Sequence, residues 1–338
     1  MEYKVSVIFI TYNHEKYVEK ALRSVLNQKT NFPFEVVVGE DHSGDNTAEI
    51  LKRIAADYPP HEPTSENDKQ VRLYLREENT GGRPTLNVYE TTKRCSGKYL
   101  AYLEGDDYWT DTHKLQKQID FLESHPEYIA VTHDMQMVDE NDSEIDNPEI
   151  LKIGDLYKHE EGRITFEDYK ATNRFAGHYA SVVSRNIYLN DNYDYTILYR
   201  ASDFTDDAVI LMFLLMQGDI YRLSDKMSAW RYVRKSGAGN WNSLVIDTNL
   251  YKDNAILARN LIMWLEQYIP LGDYSCKRCY DDFGLALKAY LKKPNRDNMD
   301  FLKEMYQYGV RHVIKKDKPT TLLTYSLSYI VGKLKKDN

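Results

Sequence analysis

The amino-acid sequence predicts an α/β protein: a mostly parallel sheet flanked by helices, followed by an all-helical C-terminal region. Three observations carry this. Short apolar runs alternate with helix-period segments from Val5 to Val138, the pattern of strands joined by helical crossovers. From about Asn249 the strand-like runs stop and only helical spacing remains. With 338 residues, 42% of them hydrophobic and 28% charged, the chain is ordinary globular material with room for two domains.

Val5–Ile10 reads as a buried first strand. Tyr17, Val18, Ala21, Leu22, Val25 and Leu26 then recur at helical spacing. Phe34–Gly39 is a second strand, and Asp45, Asn46 and Thr47 supply cap-type residues for a helix to about Tyr58. The proline-rich, polar stretch 59–69 is a surface loop. Val71–Leu75 and Tyr99–Leu103 are the third and fourth strands, with a helix over Thr85–Thr92 between them. Leu115, Ile119 and Leu122 mark a further helix before the strand Ile129–Val138. Residues 139–161 are acidic and irregular, an insertion or mobile loop. Tyr179–Val183 and Ile220–Leu223 are strands flanking a helix over Asp207–Met216. Breaks at Pro270–Gly272, Pro294 and Pro319 divide the helical region, and the boundary falls near residue 240. Residues 1–240 thus form one domain and residues 241–338 the helical region.

The formal net charge of −8 argues against a nucleic-acid partner held by a basic face. Three cysteines, Cys95, Cys276 and Cys279, are too few for a disulfide framework, and the N-terminal apolar run is too short for a signal peptide or membrane span. The chain therefore reads as cytoplasmic. Residues 311–338 carry seven Lys or Arg against two Asp beside an apolar set from Leu322 to Leu334. Such an end suits either peripheral contact with the inner face of a membrane or docking on the protein's own acidic body.

Three motifs sit where strands end, the place at which open parallel sheets bind ligands. Thr11-Tyr12-Asn13 follows the first strand; the Tyr ring offers a stacking face, and Asn13 also suits a helix entry. Glu40-Asp41 ends the second strand, and two adjacent carboxylates there need N–H or O–H donors of the kind a base or ribose supplies. Glu104-Gly105-Asp106-Asp107 ends the fourth, ahead of Tyr108-Trp109. Divalent cations bound with phosphates need only one or two protein carboxylates, and the cation relieves repulsion within such a cluster.

In order and spacing, TYNHEKYVEKALRSVLNQ, VVVGEDHSGDNT and GKYLAYLEGDDYW together resemble the nucleotide-binding half of the inverting family 2 glycosyltransferases, over residues 3–235. The resemblance implies a GT-A fold, a Rossmann-like nucleotide-binding part over residues 1–110 continuous with an acceptor part over residues 111–240. It implies Tyr12 and Asp41 at a nucleobase, Glu104 near the ribose, and Asp106 with Asp107 on a Mn²⁺ or Mg²⁺ that bridges the diphosphate. Asn87 matches a recurrent Asn of the family. Asn79 and Arg83 fall in the loop that closes over the donor, where Arg83 is either a diphosphate contact or a solvent-exposed arginine. Counting back from Gly218 places the family's general base on Asp207, after Asp206; Asp203 is the weaker choice, and an N-terminal helix cap is the bland role for Asp207. The family's histidine after the Tyr-Arg strand is absent, and Arg234 and Lys235 stand there instead.

The implied activity is transfer of a sugar, with inversion, from a UDP-linked donor to a hydroxyl of a carbohydrate, lipid-linked or glycoprotein acceptor. A sugar-1-phosphate nucleotidyltransferase would need a Gly-rich, Arg-containing loop in place of Thr11-Tyr12-Asn13. A non-catalytic nucleotide-sugar binder would not need the carboxylates. Cys276-Lys277-Arg278-Cys279 is half of a zinc spacing without a second pair. His178 either faces the acceptor or packs beside a strand.

Overall fold

The computed structural model describes residues 2–81, 83–190, 192–203, 207–233 and 250–313. It contains two compact units, residues 1–199 with 203–244 and residues 200–202 with 245–338. The expected boundary near residue 240, Asp206, the Arg234-Lys235 pair and the basic tail beyond residue 313 lie outside the described residues.

The first unit is built on one sheet. Its first strands are β1 (Val5–Thr11), β2 (Phe34–Glu40), β3 (Lys69–Leu75), β4 (Tyr99–Glu104), β5 (Tyr108–Trp109) and β6 (Tyr128–Val138). They are followed by β7 (Gly162–Ile164), β8 (Val183–Arg185) and β9 (Asp219–Arg231). The order is β3-β2-β1-β4-β8-β6-β9-β5, with β7 beside β9. The long ladders, β1 with β2 and β4, β2 with β3, and β6 with β9, are parallel. The short strands β5, β7 and β8 pair antiparallel.

The helices of this unit are α1 (Val18–Leu26), α2 (Thr47–Ala55), α3 (Pro84–Thr92), α4 (Lys114–Ser124), α5 (Pro148–Gly154), α6 (Phe166–Thr172), α7 (Ile197–Arg200) and α8 (Asp207–Gln217). Every residue of β1 and β2 is buried, as mostly apolar strands covered on both faces are, and the polar interruptions Ser6 and Glu35 bond each other, Ser6 Oγ donating to Glu35 Oε1 (2.6 Å). α1 closes one side through Val18, Ala21, Leu22, Val25 and Leu26, the residues its helical spacing selects. α8 is buried from Ala208 to Leu215, an all-round apolar helix.

Several details differ from expectation. Tyr179–Ser181 is a 3-10 turn, closed by Ser181 N–H on the His178 carbonyl, and the strand begins only at Val183. Residues 139–161 hold α5, started by Pro148 and by the Asn147 side chain accepting from Glu149 N, then a 3-10 turn over Asp155–Tyr157. The strand expected over Ile220–Leu223 runs from Asp219 to Arg231.

The second unit consists, among the described residues, of α9 (Leu250–Leu265), α10 (Asp273–Lys292) and α11 (Arg296–Val313). Cys279, Tyr280, Phe283 and Ala286 of α10 pack with Ala255, Phe301, Met305 and Tyr308. Cys276 and Cys279 lie on α10 and form no disulfide, and among the described residues they join no group of metal-ligating side chains. Among the described residues no helix is long and apolar enough to cross a membrane.

Candidate active site

The parallel register lines up three strand ends. Ile10 lies between Gly39 of β2 and Glu104 of β4, and Thr11 faces Glu40. The loops that follow interlock. Asn13, at φ 55°, takes its N–H to Ser43 Oγ (2.9 Å), and its Oδ1 accepts from Gly44 N (2.8 Å). His14 N donates to Thr47 Oγ1 (2.8 Å), Glu15 N to Asp45 Oδ2 (3.0 Å), and Asn46 N returns a bond to Glu15 Oε2 (3.1 Å). Asn13 is thus a loop staple rather than a helix cap, since α1 is capped at Tyr17. Thr11 is buried beside His14 (3.1 Å), whereas Tyr12 is 37% exposed and presents its ring outward.

The donors that Glu40 and Asp41 require come from the chain. Glu40 Oε1 accepts from Ser43 N (2.7 Å). Asp41 accepts from Thr80 N (3.0 Å), Thr80 Oγ1 (2.6 Å) and Asn79 Nδ2 (3.2 Å), with Arg76 Nε at 3.5 Å. Burial raises the Asp41 carboxyl from its ordinary value, against the Thr80 hydrogen bonds. These bonds bring the Asn79-Thr80 segment over the end of β2. Asn87 is also structural: its Nδ2 donates to the Gly39 carbonyl (2.8 Å).

The turn after β4 is pressed against β1. A Cβ on Gly105 would stand 2.3 Å from Thr11 Oγ1 and 2.9 Å from His14 Nδ1, so only glycine fits. Arg231, at the end of β9, fixes the turn. Its N–H donates to Asp107 Oδ1 (2.8 Å), Nε to the Asp106 carbonyl (2.8 Å), Nη1 to the Asp139 carbonyl (2.8 Å) and Nη2 to Asp142 (2.6 Å).

Asp106 and Asp107 were expected to hold the cation together. In the structure Asp106 approaches His14 Nε2 (3.9 Å), and among the described residues the group that converges is Glu104, Asp107 and His178, with ligand-type atoms all within 4.8 Å of one another. Asp107 Oδ2 is buried without a hydrogen-bond partner and lies 3.9 Å from His178 Nδ1. Burial and the neighbouring Asp106 charge push the Asp107 carboxyl well up, while burial holds His178 at about 3 and therefore neutral. Two carboxylates, one with an orphaned buried oxygen, and a neutral imidazole are a donor set that fits a divalent cation. The sequence left His178 between two roles because nothing local links it to the acidic turn.

Arg83 is not aimed at that turn. Its Nε donates to Asp203 Oδ1 (2.7 Å) and its guanidinium stands over the Tyr199 ring, so Asp203 is an ion-pair partner. Asp207 opens α8, half-buried. Tyr157 Oη donates to its Oδ2 (2.7 Å) and Ala208 N to its Oδ1 (2.7 Å). Burial raises this carboxyl despite the two bonds. The Tyr157 ring meets His178 edge-on (5.2 Å), which connects Asp207 to the acidic turn through two side chains. Tyr157 lies in the stretch expected to be irregular, and no periodic signal marked it.

The sequence model of glycosyl transferase family 2 matches residues 6–188, more than half of the chain. An uncharacterized protein of Mycobacterium tuberculosis, Rv1520, is 37% identical over 137 residues, which are 40% of this chain and 36% of that protein. An uncharacterized glycosyltransferase of Nostoc sp., alr2836, is 29% identical over 143 residues, 42% of this chain and 40% of that one. The matched stretch thus spans less than half the length of these curated relatives. A crystal structure of S. aureus TarS 1-349 in complex with UDP-GlcNAc shares the fold, with a TM-score of 0.62 at 19% identity over 97% of this chain and 92% of that one. The family match begins inside β1 and ends just past β8, and so takes in all three aligned strand ends; the chain belongs to glycosyl transferase family 2 and carries that family's glycosyltransferase domain.

Proposed function

We propose that the protein is a metal-dependent inverting glycosyltransferase that moves a sugar from a UDP-linked donor to an acceptor hydroxyl in glycan, glycolipid or glycoprotein synthesis. The observation that carries this reading is the acidic turn after β4, where Glu104, Asp107 and His178 converge beside the aligned ends of β1 and β2. The TarS complex with UDP-GlcNAc supports a UDP-linked donor. That none of the three cysteines is in a disulfide supports the cytoplasm as the working compartment.

In this reading the exposed Tyr12 ring and the Asp41 region receive the base, and Glu104 faces the ribose. Thr11, Asn13 and Glu40 act by holding those loops. Glu104, Asp107 and His178 would hold a Mn²⁺ or Mg²⁺, with Asp106 beside them, and the cation when bound supplies positive charge to the departing diphosphate. Arg83 reaches the diphosphate only by leaving Asp203. Asp207 takes the proton of the acceptor hydroxyl as its oxygen attacks the anomeric carbon from the face opposite the leaving group. The C1–O bond to the nucleotide breaks as the new one forms, so configuration inverts. The test is a panel of nucleotide sugars screened for release of nucleotide, with Mn²⁺ and with chelator. One donor consumed only with metal supports the reading, and release of pyrophosphate from a sugar 1-phosphate and a nucleoside triphosphate replaces it with nucleotidyl transfer.

A further inference from the structure

We propose that Asp142 is a positioning residue for the cation site: it holds the Arg231 guanidinium off the Asp107 carboxylate and so leaves that carboxylate to a divalent ion. The proposal rests on the reading of Glu104, Asp107 and His178 as the site of that ion. Arg231 is a buried positive charge at the foot of the acidic turn, and its own N–H already donates to Asp107 Oδ1 (2.8 Å). Asp107 Oδ2 is buried without a hydrogen-bond partner. Guanidinium groups pair readily with carboxylates through two parallel bonds, and such a pair would cancel the charge that the ion needs.

Each arm of the guanidinium is engaged elsewhere. Nε and Nη1 donate to the Asp106 and Asp139 carbonyls, both neutral, and Nη2 donates to Asp142 Oδ1 (2.6 Å). Among the described residues Asp142 is therefore the one carboxylate that the guanidinium pairs with. A built turn delivers it. Arg231 stands beside Val138, the last residue of β6, and the turn follows directly. Asp139 Oδ1 accepts from Asn141 N (2.8 Å) and Ser143 N (2.9 Å), and Asp142 sits at φ 66°, a left-handed conformation that Asp and Asn adopt more readily than most residues. Its other oxygen, Oδ2, meets Lys20 Nζ of α1 (3.0 Å). Lys20 lies over the Tyr108 ring (3.5 Å) and Arg231 over the Tyr17 ring (4.3 Å), so both cations are held on aromatic faces while one carboxylate answers their charge. Without Asp142, the nearest carboxylate that Arg231 already touches is Asp107, whose second oxygen is open.

The test measures Mn²⁺ affinity of the full chain from the EPR signal of the free ion, with melting curves to confirm folding. Asp142→Asn keeps the size and suits the left-handed turn but loses the charge. It should weaken Mn²⁺ binding by about tenfold or more, the usual scale for groups that orient a metal ligand. Asp142→Gly, unstrained at that φ, should behave alike. In an Arg231→Met background Asp142→Asn should have almost no further effect, because the competing guanidinium is gone. Lys20→Met leaves Asp142 on Arg231 and should bind Mn²⁺ as the wild type does or more tightly. Undiminished affinity in both Asp142 variants, or an equal loss with and without Arg231, overturns the proposal. So does an equal loss in Lys20→Met, which would make Asp142 a mere fastener of its turn to α1. Wild-type protein that binds no Mn²⁺, or binds it equally after Asp107→Asn, removes the cation-site reading itself, and the proposal falls with it.

Discussion

Asp207 is held by one phenolic and one amide hydrogen at the start of a helix buried almost all round. A group that acts on the acceptor's proton is dispensable for donor binding. Asp207→Asn should therefore leave UDP affinity and melting temperature near wild type while lowering turnover by about 10²–10⁴-fold. A helix cap alone predicts the opposite, a drop in melting temperature with every function falling together. Arg231 is the other residue on which much converges. It satisfies the Asp106 carbonyl in a buried bond and the Asp139 carbonyl in a half-buried one, and ties Asp142 to the turn. Arg231→Met removes those donors but keeps a long apolar stem, and should cost on the order of 2–4 kcal/mol in urea unfolding, the penalty for stranded buried acceptors. UDP affinity should weaken as well, because the turn carrying Glu104 and Asp106 loses its anchor.

At the level of elements, α3 meets β2 at closest approach where a side chain would intrude. A Cβ on Gly39 would come within 2.0 Å of Thr91 Oγ1 and 2.7 Å of Asn87 Oδ1. Gly39→Ala should therefore destabilise by about 1–3 kcal/mol, the usual range for overpacking, and loosen the Asn87 bond. In α10, burial pushes the Asp282 carboxyl up to about 7 against the pull of Arg278, 3.0 Å away. The folded value lies above the ordinary 3.8, so the stability tied to this proton is complete below that pH and drains away as pH rises through about 7. Asp282→Asn should raise stability by about 1–3 kcal/mol at pH 8 and by nothing near pH 3, a difference that melting curves at the two pH values resolve.

The same elements show what could be read in advance. β1, β2 and β4 are mostly apolar, broken only by single polar residues such as Ser6 and Glu35, and α1 has a clean helical stripe, so their pattern is legible. β5 and β7 have two and three residues, too few to show a period. α5 was hidden because it buries no side chain, so apart from its Asn147-Pro148 start it has no apolar stripe to reveal it. The acidic turn was legible because its carboxylates are contiguous. His178 and Tyr157 were not, because only the tertiary fold brings them to Asp107 and Asp207.

For the whole molecule, a ligand that binds only the folded state raises stability in proportion to the logarithm of its occupancy. UDP with Mn²⁺ should therefore raise the melting temperature, by the equivalent of about 2.7 kcal/mol at a hundredfold excess over Kd. Chelator should cancel most of the gain, and a shift equal with and without metal would count against the Glu104, Asp107 and His178 cation site. The paired loops after β1 and β2 bear on how the chain can change. Asn13 and Glu15 each both give to and take from residues 43–46, so neither loop holds its shape by itself. A chimaera that imports one loop from a relative and keeps the other should therefore mismatch donors with acceptors, whereas exchanging both segments together should preserve the corner's shape.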